Sequence, residues 1–400
     1  MVYIALPVLN EWEQLPGLLK NLSNQEFKDF KLVVCVNQYD HWWKDESKKV
    51  VCLNNKKSLK FLNEFKDIDI HVIDRSSPKK GWKKKKGGVG WARKVIMDWI
   101  AENNNHETDL IVSIDADTIY PADYLLNVKN YFYINKDIYG LSISYYHPLG
   151  EDDIKNKLIL RYEIYMRCYF LNLLRIKNPY AFSALGSAMA FPVWAYKKVG
   201  GLTPVKSGED FYFLQKLVKH GRIGLTVDTA AYPSARFSDR VNFGTGPALI
   251  KGNTGNWDSY PVYPIKYFDE IKTTFLSFSD LYEKDKNTPM DKFIMKKIKG
   301  GLPWEKFRKN YKDRKNFVKA CHNYIDGLRI LQYLRYRSQQ EGPANEQSLN
   351  ECLEIQNIQL NKEMLLDLLN RGLDNLSLNS LSYIRDKLFE IESLKRKSFI

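Results

Sequence analysis

The stretch LIVSIDADTIYPADYL, residues 110–125, is a short apolar run that ends on two aspartates two positions apart. Side chains at i and i+2 of an extended chain project the same way, so Asp115 and Asp117 can converge on one hard cation and on the diphosphate it bridges. A DxD pattern alone arises by chance in most large proteins, where it is a solvated turn. Position decides between the two readings, and position has to be read from the surrounding chain.

Upstream, short apolar runs alternate with helical patterns: YIALPV (3–8), WEQLPGLLKNL (12–22), KLVVCVN (31–37), an amphipathic stretch over 58–65, IDIHVID (68–74) and a helix over 91–101. Strands of this length separated by helices predict βαβ units, hence a mostly parallel, Rossmann-like α/β sheet with helices on both faces. Such sheets bind ligands beyond the carboxyl ends of their strands. The polar residues gather there: Asn10 and Glu11 after the first run, Asn37 and Gln38 after the second, Asp74 and Arg75 after the third, Asp115 and Asp117 after the fourth.

Downstream, YGLSISYY (139–146) predicts a further strand, and residues 154–176 a helix with an aromatic face at Tyr162, Tyr165 and Tyr169 that is expected to pack in the core. ALGSAMAF (184–191) leads through VWAYKKVGG to GEDFYFLQKLVKHG (208–221), a turn followed by a helix stopped at Gly221. Glu209 and Asp210 open that helix, where acids are also favoured simply by the helix dipole. Beyond about residue 262 the chain becomes charged and helix-periodic, broken at EGPANEQS (341–348). The expected organisation is a catalytic domain over 1–262 and an α-helical extension over 263–400.

Composition excludes little. With 44% hydrophobic and 27% charged residues the chain is globular rather than disordered. Five scattered cysteines without a CxxC pair suggest free buried thiols. The opening MVYIALPVLNEWEQL lacks the succession of a signal peptide, and no apolar run has the roughly eighteen residues of a membrane span, so a cytoplasmic location is expected, soluble or peripheral at the inner face of an anionic membrane. The net charge of +14 calls for an anionic partner, whether a phosphate-bearing donor, an anionic membrane surface or nucleic acid, although lysines spread over solvated faces give much the same excess.

Taken in order, ALPVLNEWEQLPGLLKNL (5–22), GVGWARKVIMDWI (88–100), SIDADT (113–118), and AMAFPVWAYKKVGGL (188–202) leading to GEDFYFLQKLVKHG resemble inverting glycosyltransferase family 2, with its GT-A fold, over about residues 2–250. The resemblance implies a nucleotide-sugar donor of the UDP or GDP type and a glycan or lipid-linked acceptor. By the same resemblance Asp117 would ligate Mn2+ or Mg2+ and Asp115 would contact the ribose or the metal shell. Asp210 would be the general base, with Glu209 beside it orienting the acceptor or the helix end. Pro7, Asn10, Glu11, Asp74 and Arg75 would receive the nucleoside, and Arg93, Arg236 and Arg240 would face the diphosphate. A third protein ligand for the metal has no evident counterpart, and VNQYDHWW (36–43) departs from the acidic turn many relatives carry after the second strand.

Two alternatives stay open. A nucleotidyltransferase also sets paired acids on a parallel sheet, but it usually places a glycine- and basic-rich loop after the first strand, where this chain has NEWEQL. The lysine loop KKGWKKKKGG (79–88) can cover phosphates or touch an anionic lipid, and an inactive or basic nucleic-acid-binding module would use it with Trp82 and Trp91. Intact Asp115, Asp117 and Asp210 speak against it, and nucleic acid is not the expected partner.

Overall fold

A computed structural model describes residues 1–84, 86–239, 244–342 and 345–398. The chain forms two compact units. One comprises Met1–Ile159, Phe182–Thr254 and Arg396–Ile400, the other Leu160–Ala181 and Gly255–Lys395.

The first unit is built on an eight-stranded sheet: β1 (Val2–Val8), β2 (Phe30–Asn37), β3 (Ile70–Arg75), β4 (Leu110–Ser113), β5 (Thr118–Ile119), β6 (Gly140–Tyr145), β7 (Met189–Pro192) and β8 (Ile223–Pro233), in the spatial order β3-β2-β1-β4-β7-β6-β8-β5. The pairs β3–β2, β2–β1, β1–β4 and β6–β8 are parallel, while β7 and β5 run antiparallel to their neighbours. The expected mostly parallel α/β sheet is therefore present. β1 and β2 are buried on both faces, which accounts for their continuous apolar sequences.

Pro7 fits within β1 because the β1–β4 ladder ends at Ala5↔Ser113. The Ala5 carbonyl accepts from the Ile114 N–H, and Pro7, two residues on, faces the same side beyond the last rung, where its missing N–H is not needed. The helices of this unit are α1 (Leu15–Ser23), α2 (Lys49–Glu64), α3 (Val89–Asn103), α4 (Tyr124–Ile134), the first turns of α5 (Asp153–Arg175), α6 (Val193–Lys198), α7 (Glu209–His220) and α8 (Thr245–Asn253). Gly90, in the first turn of α3, lies so close to Val205 that a Cβ there would fall on its carbonyl. That closeness brings the segment leading into α7 against α3.

Buried amides fix the strand ends. Asn37 donates to the Val8 carbonyl at 2.9 Å and accepts from the Trp82 indole at 3.1 Å. Asn55 of α2 donates to Gln38 Oε1 at 2.8 Å and accepts the Asn10 N–H at 2.9 Å, while Asn54 accepts the Trp12 N–H at 3.0 Å. Asn10 itself has a left-handed backbone, φ 57°, a conformation asparagine tolerates better than most residues. Asn37, in the VNQYDHWW stretch, is thus committed to the scaffold.

The second unit is helical. Its boundary lies at 254/255 rather than the expected 262/263, and it also takes in residues 160–181. The reason is the aromatic face of α5: Tyr162 and Tyr165 pack edge-on against Tyr260 at 5.1 and 5.6 Å between ring centroids, and Tyr165 meets Tyr263. A buried ion network ties α5 to the helix Leu378–Ser398, with Glu163 between Arg167 at 3.2 Å and Arg385 at 2.8 Å, and Arg167 reaching Glu392 at 2.6 Å. All five cysteines are buried and free. No described helix is long and apolar enough to cross a membrane.

Asn55→Ala leaves the Asn10 N–H and the Gln38 amide without their buried partner and is expected to cost about 1–3 kcal/mol. Urea unfolding should show a lower midpoint with an unchanged slope.

Candidate active site

The strand ends collect five carboxylates and two guanidiniums. β4 terminates at Ser113 and delivers Asp115, whose backbone N–H donates to the Tyr120 hydroxyl at 3.1 Å; that hydroxyl donates to the Ser187 carbonyl at 3.1 Å. The end of β4 is thereby fixed to the ALGSAMAF segment. Asp117 follows, and the antiparallel pairing of β5 with β8, Thr118↔Pro233, carries the chain after β8 alongside it. Ser234 donates its N–H to the Asp117 carbonyl and its hydroxyl to Oδ2, both at 3.1 Å. Arg236 then sets its Nε 2.6 Å from Asp117 Oδ2 and spreads Nη1 and Nη2 over the two oxygens of Glu11, at 2.9 and 2.5 Å.

Arg93 is the second cation. It is buried on α3, with Nε donating to Ser113 Oγ at 3.2 Å, Nη2 to Asp115 Oδ1 at 2.5 Å and Nη1 to Glu209 Oε1. Burial works against its charge, but Asp115, Glu209 and Asp210 outweigh burial and raise its pKa, so it stays protonated. Gly186 makes room for it, since a Cβ at that position would fall on the guanidinium. The resemblance implied a place facing the diphosphate; in the structure the Arg93 nitrogens are directed at these groups. Arg93 holds carboxylates.

Glu209 and Asp210 divide the mouth of α7 between them. Gly208, with φ 78°, turns the chain into the helix; Glu209 points inward, 2% exposed, onto Arg93, while Asp210 is half-buried and accepts the Phe211 N–H at 2.8 Å. Burial first, then the adjacent Glu209, raise the Asp210 carboxyl to about 7; Arg93 and the Phe211 N–H pull the other way. A carboxyl that titrates near neutrality is suited to take up a proton.

On the other side of the strand ends, Asn10 is exposed. Asp74 closes a turn, its Oδ1 accepting the N–H groups of Ser76 and Ser77 at 3.0 and 2.9 Å, while Lys80 lies 3.2 Å from Oδ2. Burial would raise its pKa, yet the hydrogen bonds from Ser77, Ser76 and Lys80 prevail and hold it at about 2. The Asp74 carboxylate is thus occupied by its own turn rather than held open for a base. Arg75 is exposed, its guanidinium 5.3 Å from the centre of the Trp82 ring. Arg240 lies outside the described residues.

Among the described residues no three His, Cys, Asp or Glu side chains form a metal cage. Two hard carboxylates are nonetheless available at one strand end, Asp117 at 16% and Asp115 at 37% exposure. A pair of this kind suits Mg2+ or Mn2+ when phosphates and water complete the shell. The residues present fit a cation that arrives with a diphosphate.

Ser113, Tyr120, Gly186 and Ser234 were not singled out from the sequence. Ser113 had a signal, two residues before Asp115 and so on the same side of the strand; Gly186 had a weaker one in its small-residue run. Ser234 had none, because only the β5–β8 pairing brings it to Asp117.

No protein-family model matches the chain, and no curated protein matches it. Among solved structures it is similar to S. aureus TarS 1–349 in complex with UDP-GlcNAc, with 14% identity over 86% of this chain and 92% of that one and a TM-score of 0.42. It is also similar to mannosyltransferase PcManGT from Pyrobaculum calidifontis in complex with GDP-Man and Mn2+, with 14% identity over 98% and 86% of the two chains and a TM-score of 0.43.

Arg93→Met strands Glu209 as an uncompensated buried charge and is expected to destabilise the protein by about 3–5 kcal/mol in chemical denaturation. Asp210→Asn should do the opposite. Because the folded-state pKa is raised, Asp210 binds its proton more tightly in the native protein, and stability is lost as pH rises from about 4 to about 7. The substitution should therefore stabilise by about 1–2 kcal/mol at pH 8 and by little at pH 4, read from unfolding midpoints at the two pH values.

Proposed function

We propose that the chain is an inverting, metal-assisted glycosyltransferase of the GT-A type, taking a sugar from a UDP- or GDP-sugar and passing it to a hydroxyl of a glycan or lipid-linked acceptor. The observation that carries this reading is the position of Asp210. A carboxyl raised to about 7 stands at a helix mouth, separated from the strand-end aspartates by a single buried arginine. One side of Arg93 offers oxygens for a cation and a diphosphate; the other offers a base for an incoming hydroxyl.

Each residue's part follows from its surroundings. When bound, Mn2+ or Mg2+ supplies positive charge that offsets the charge developing on the departing nucleoside diphosphate. Asp117 and Asp115 would hold it, with Asp115 also near the ribose. Arg236, which bridges Glu11 and Asp117, carries a raised pKa: burial lowers it, and Glu11, Asp117 and Asp115 more than compensate. It would turn toward the diphosphate once the cation takes over Asp117. Pro7, Asn10, Glu11 and Arg75 line the strand ends on the nucleoside side, and Asp74 would act there by shaping its turn.

Asp210 accepts the proton of the acceptor hydroxyl as that oxygen attacks the anomeric carbon from the face opposite the leaving group, so the configuration inverts and no covalent enzyme intermediate forms. Glu209 and Arg93 position Asp210 and Asp115 relative to each other. The chain's locale in this reading is cytoplasmic, where nucleotide sugars are expected.

The test is nucleotide release from a panel of UDP- and GDP-sugars with and without Mn2+ or Mg2+. Release should require the cation, and Asp117→Ala should remove both release and cation-dependent nucleotide binding in calorimetry. Asp210→Asn should lower kcat by about 10²–10⁴ while leaving donor binding intact. In the wild type, kcat/KM should rise with pH and level off above about 7, as Asp210 loses its proton. Cation-independent nucleotide binding, or transfer undiminished in Asp210→Asn, would sink the proposal.

A further inference from the structure

A second feature of the sheet unit has no part in the chemistry above. Residues 39–64 and 77–88 together hold twelve lysines against four acidic residues, a net +8 of the chain's +14. The two segments follow β2 and β3 and are joined to each other. The Asp40 N–H donates to the Trp82 carbonyl at 3.0 Å, the Lys79 N–H to Asp40 Oδ1 at 2.6 Å, and the Trp43 indole to the Ser76 carbonyl at 2.8 Å. α2 packs on the segment Asp40–Lys44. The lysine loop and the start of α2 are therefore both joined to the segment Asp40–Lys44, at the carboxyl edge of the sheet.

These two segments are not only charged. Val50 and Leu53 stand out from α2 at 76% and 47% exposure, three residues apart, with Lys56 and Lys57 a turn further along the same side. Apolar residues presented to solvent among lysines are the composition of a helix that lies in a bilayer interface, where the apolar groups enter the headgroup region and lysine stems reach out to anionic headgroups. The lysine loop adds Lys79, Lys83, Lys84 and Lys86, all exposed. The acids of the patch do little to cancel this. Glu46, in the turn before α2, and Glu64, at its end, lie 3.2 Å from Lys49 and 3.9 Å from Lys60 as exposed pairs that contribute little. A single-stranded nucleic acid would instead call for exposed aromatic platforms. Here Trp82 is buried, and the Trp42 and Trp91 rings lie under Lys48 and Lys86 at 5.6 and 5.2 Å.

We infer that the exposed face of α2 and the loop after β3 dock on an anionic phospholipid surface, with Val50 and Leu53 entering the interface and the lysines contacting headgroup phosphates. This docking is independent of the transferase reading and is measured without substrate. The experiment is flotation of the full chain with vesicles of phosphatidylcholine alone, or with about 30% phosphatidylglycerol, at about 0.1 M salt, where screening still leaves contacts within about 10 Å effective. The protein should float only with the anionic vesicles. Lys83→Ala with Lys84→Ala should weaken partitioning about 25-fold, at about fivefold per lysine. Val50→Ser with Leu53→Ser should weaken it about 5- to 20-fold. All four side chains are exposed, so the unfolding midpoint should stay at the wild-type value in both variants.

Equal partitioning to the two vesicle types overturns the inference, as does wild-type partitioning in the Val50/Leu53 variant. Displacement from anionic vesicles by single-stranded RNA, combined with loss only in the lysine variant, reassigns the patch to nucleic acid and overturns it as well.

Discussion

Burying one guanidinium costs several kcal/mol unless carboxylates and acceptors surround it, and Arg93 meets that condition by drawing on separate parts of the chain. Ser113 and Asp115 come from the end of β4, Glu209 from the start of α7, and the room to stand there from Gly186. Without the arginine, Glu209 would be left as a buried charge with no compensation. β4 and the helix carrying Asp210 are thus fixed by one shared charge, and the spacing between two sets of acids becomes a property of the fold rather than of mobile side chains.

The distribution of charge runs against the composition. In a chain with a net charge of +14, Arg93 and Arg236 stand, among the described residues, against Asp115, Glu209, Glu11 and Asp117. Burial and then the adjacent Glu209 raise the proton affinity of Asp210. The surplus lysines lie elsewhere, largely on α2 and in the loop after β3, so the acid centre and the basic rim are two separate devices.

Much of the first unit was legible because its signals are local. Runs such as KLVVCVN are apolar on both faces and bounded by polar residues, which is how a buried parallel strand reads, and DxD after LIVS inherited its meaning from that strand. What could not be read depends on distant pairings. β5 is two residues long, and its pairing with β8 is what brings Ser234 and Arg236 to Asp117. Arg93 carries no mark distinguishing an arginine facing phosphate from one facing carboxylates, since both are cations at a helix start. The extent of the helical unit rests on distant pairing as well: the tyrosines of α5 declare a packed face, but not that Tyr260 and Tyr263 pack against it.

Gly186 bears on how this sequence can change. A side chain there and a guanidinium at position 93 lay claim to the same volume, so neither position can vary alone without either a clash or a void lined by stranded acids. The two residues form one heritable unit despite lying far apart along the chain. Across descendants of this fold, a shorter residue at 93 and a larger one at 186 should arise together or not at all, with the partners of the lost charge, Glu209 and Asp115, changing in the same lineages.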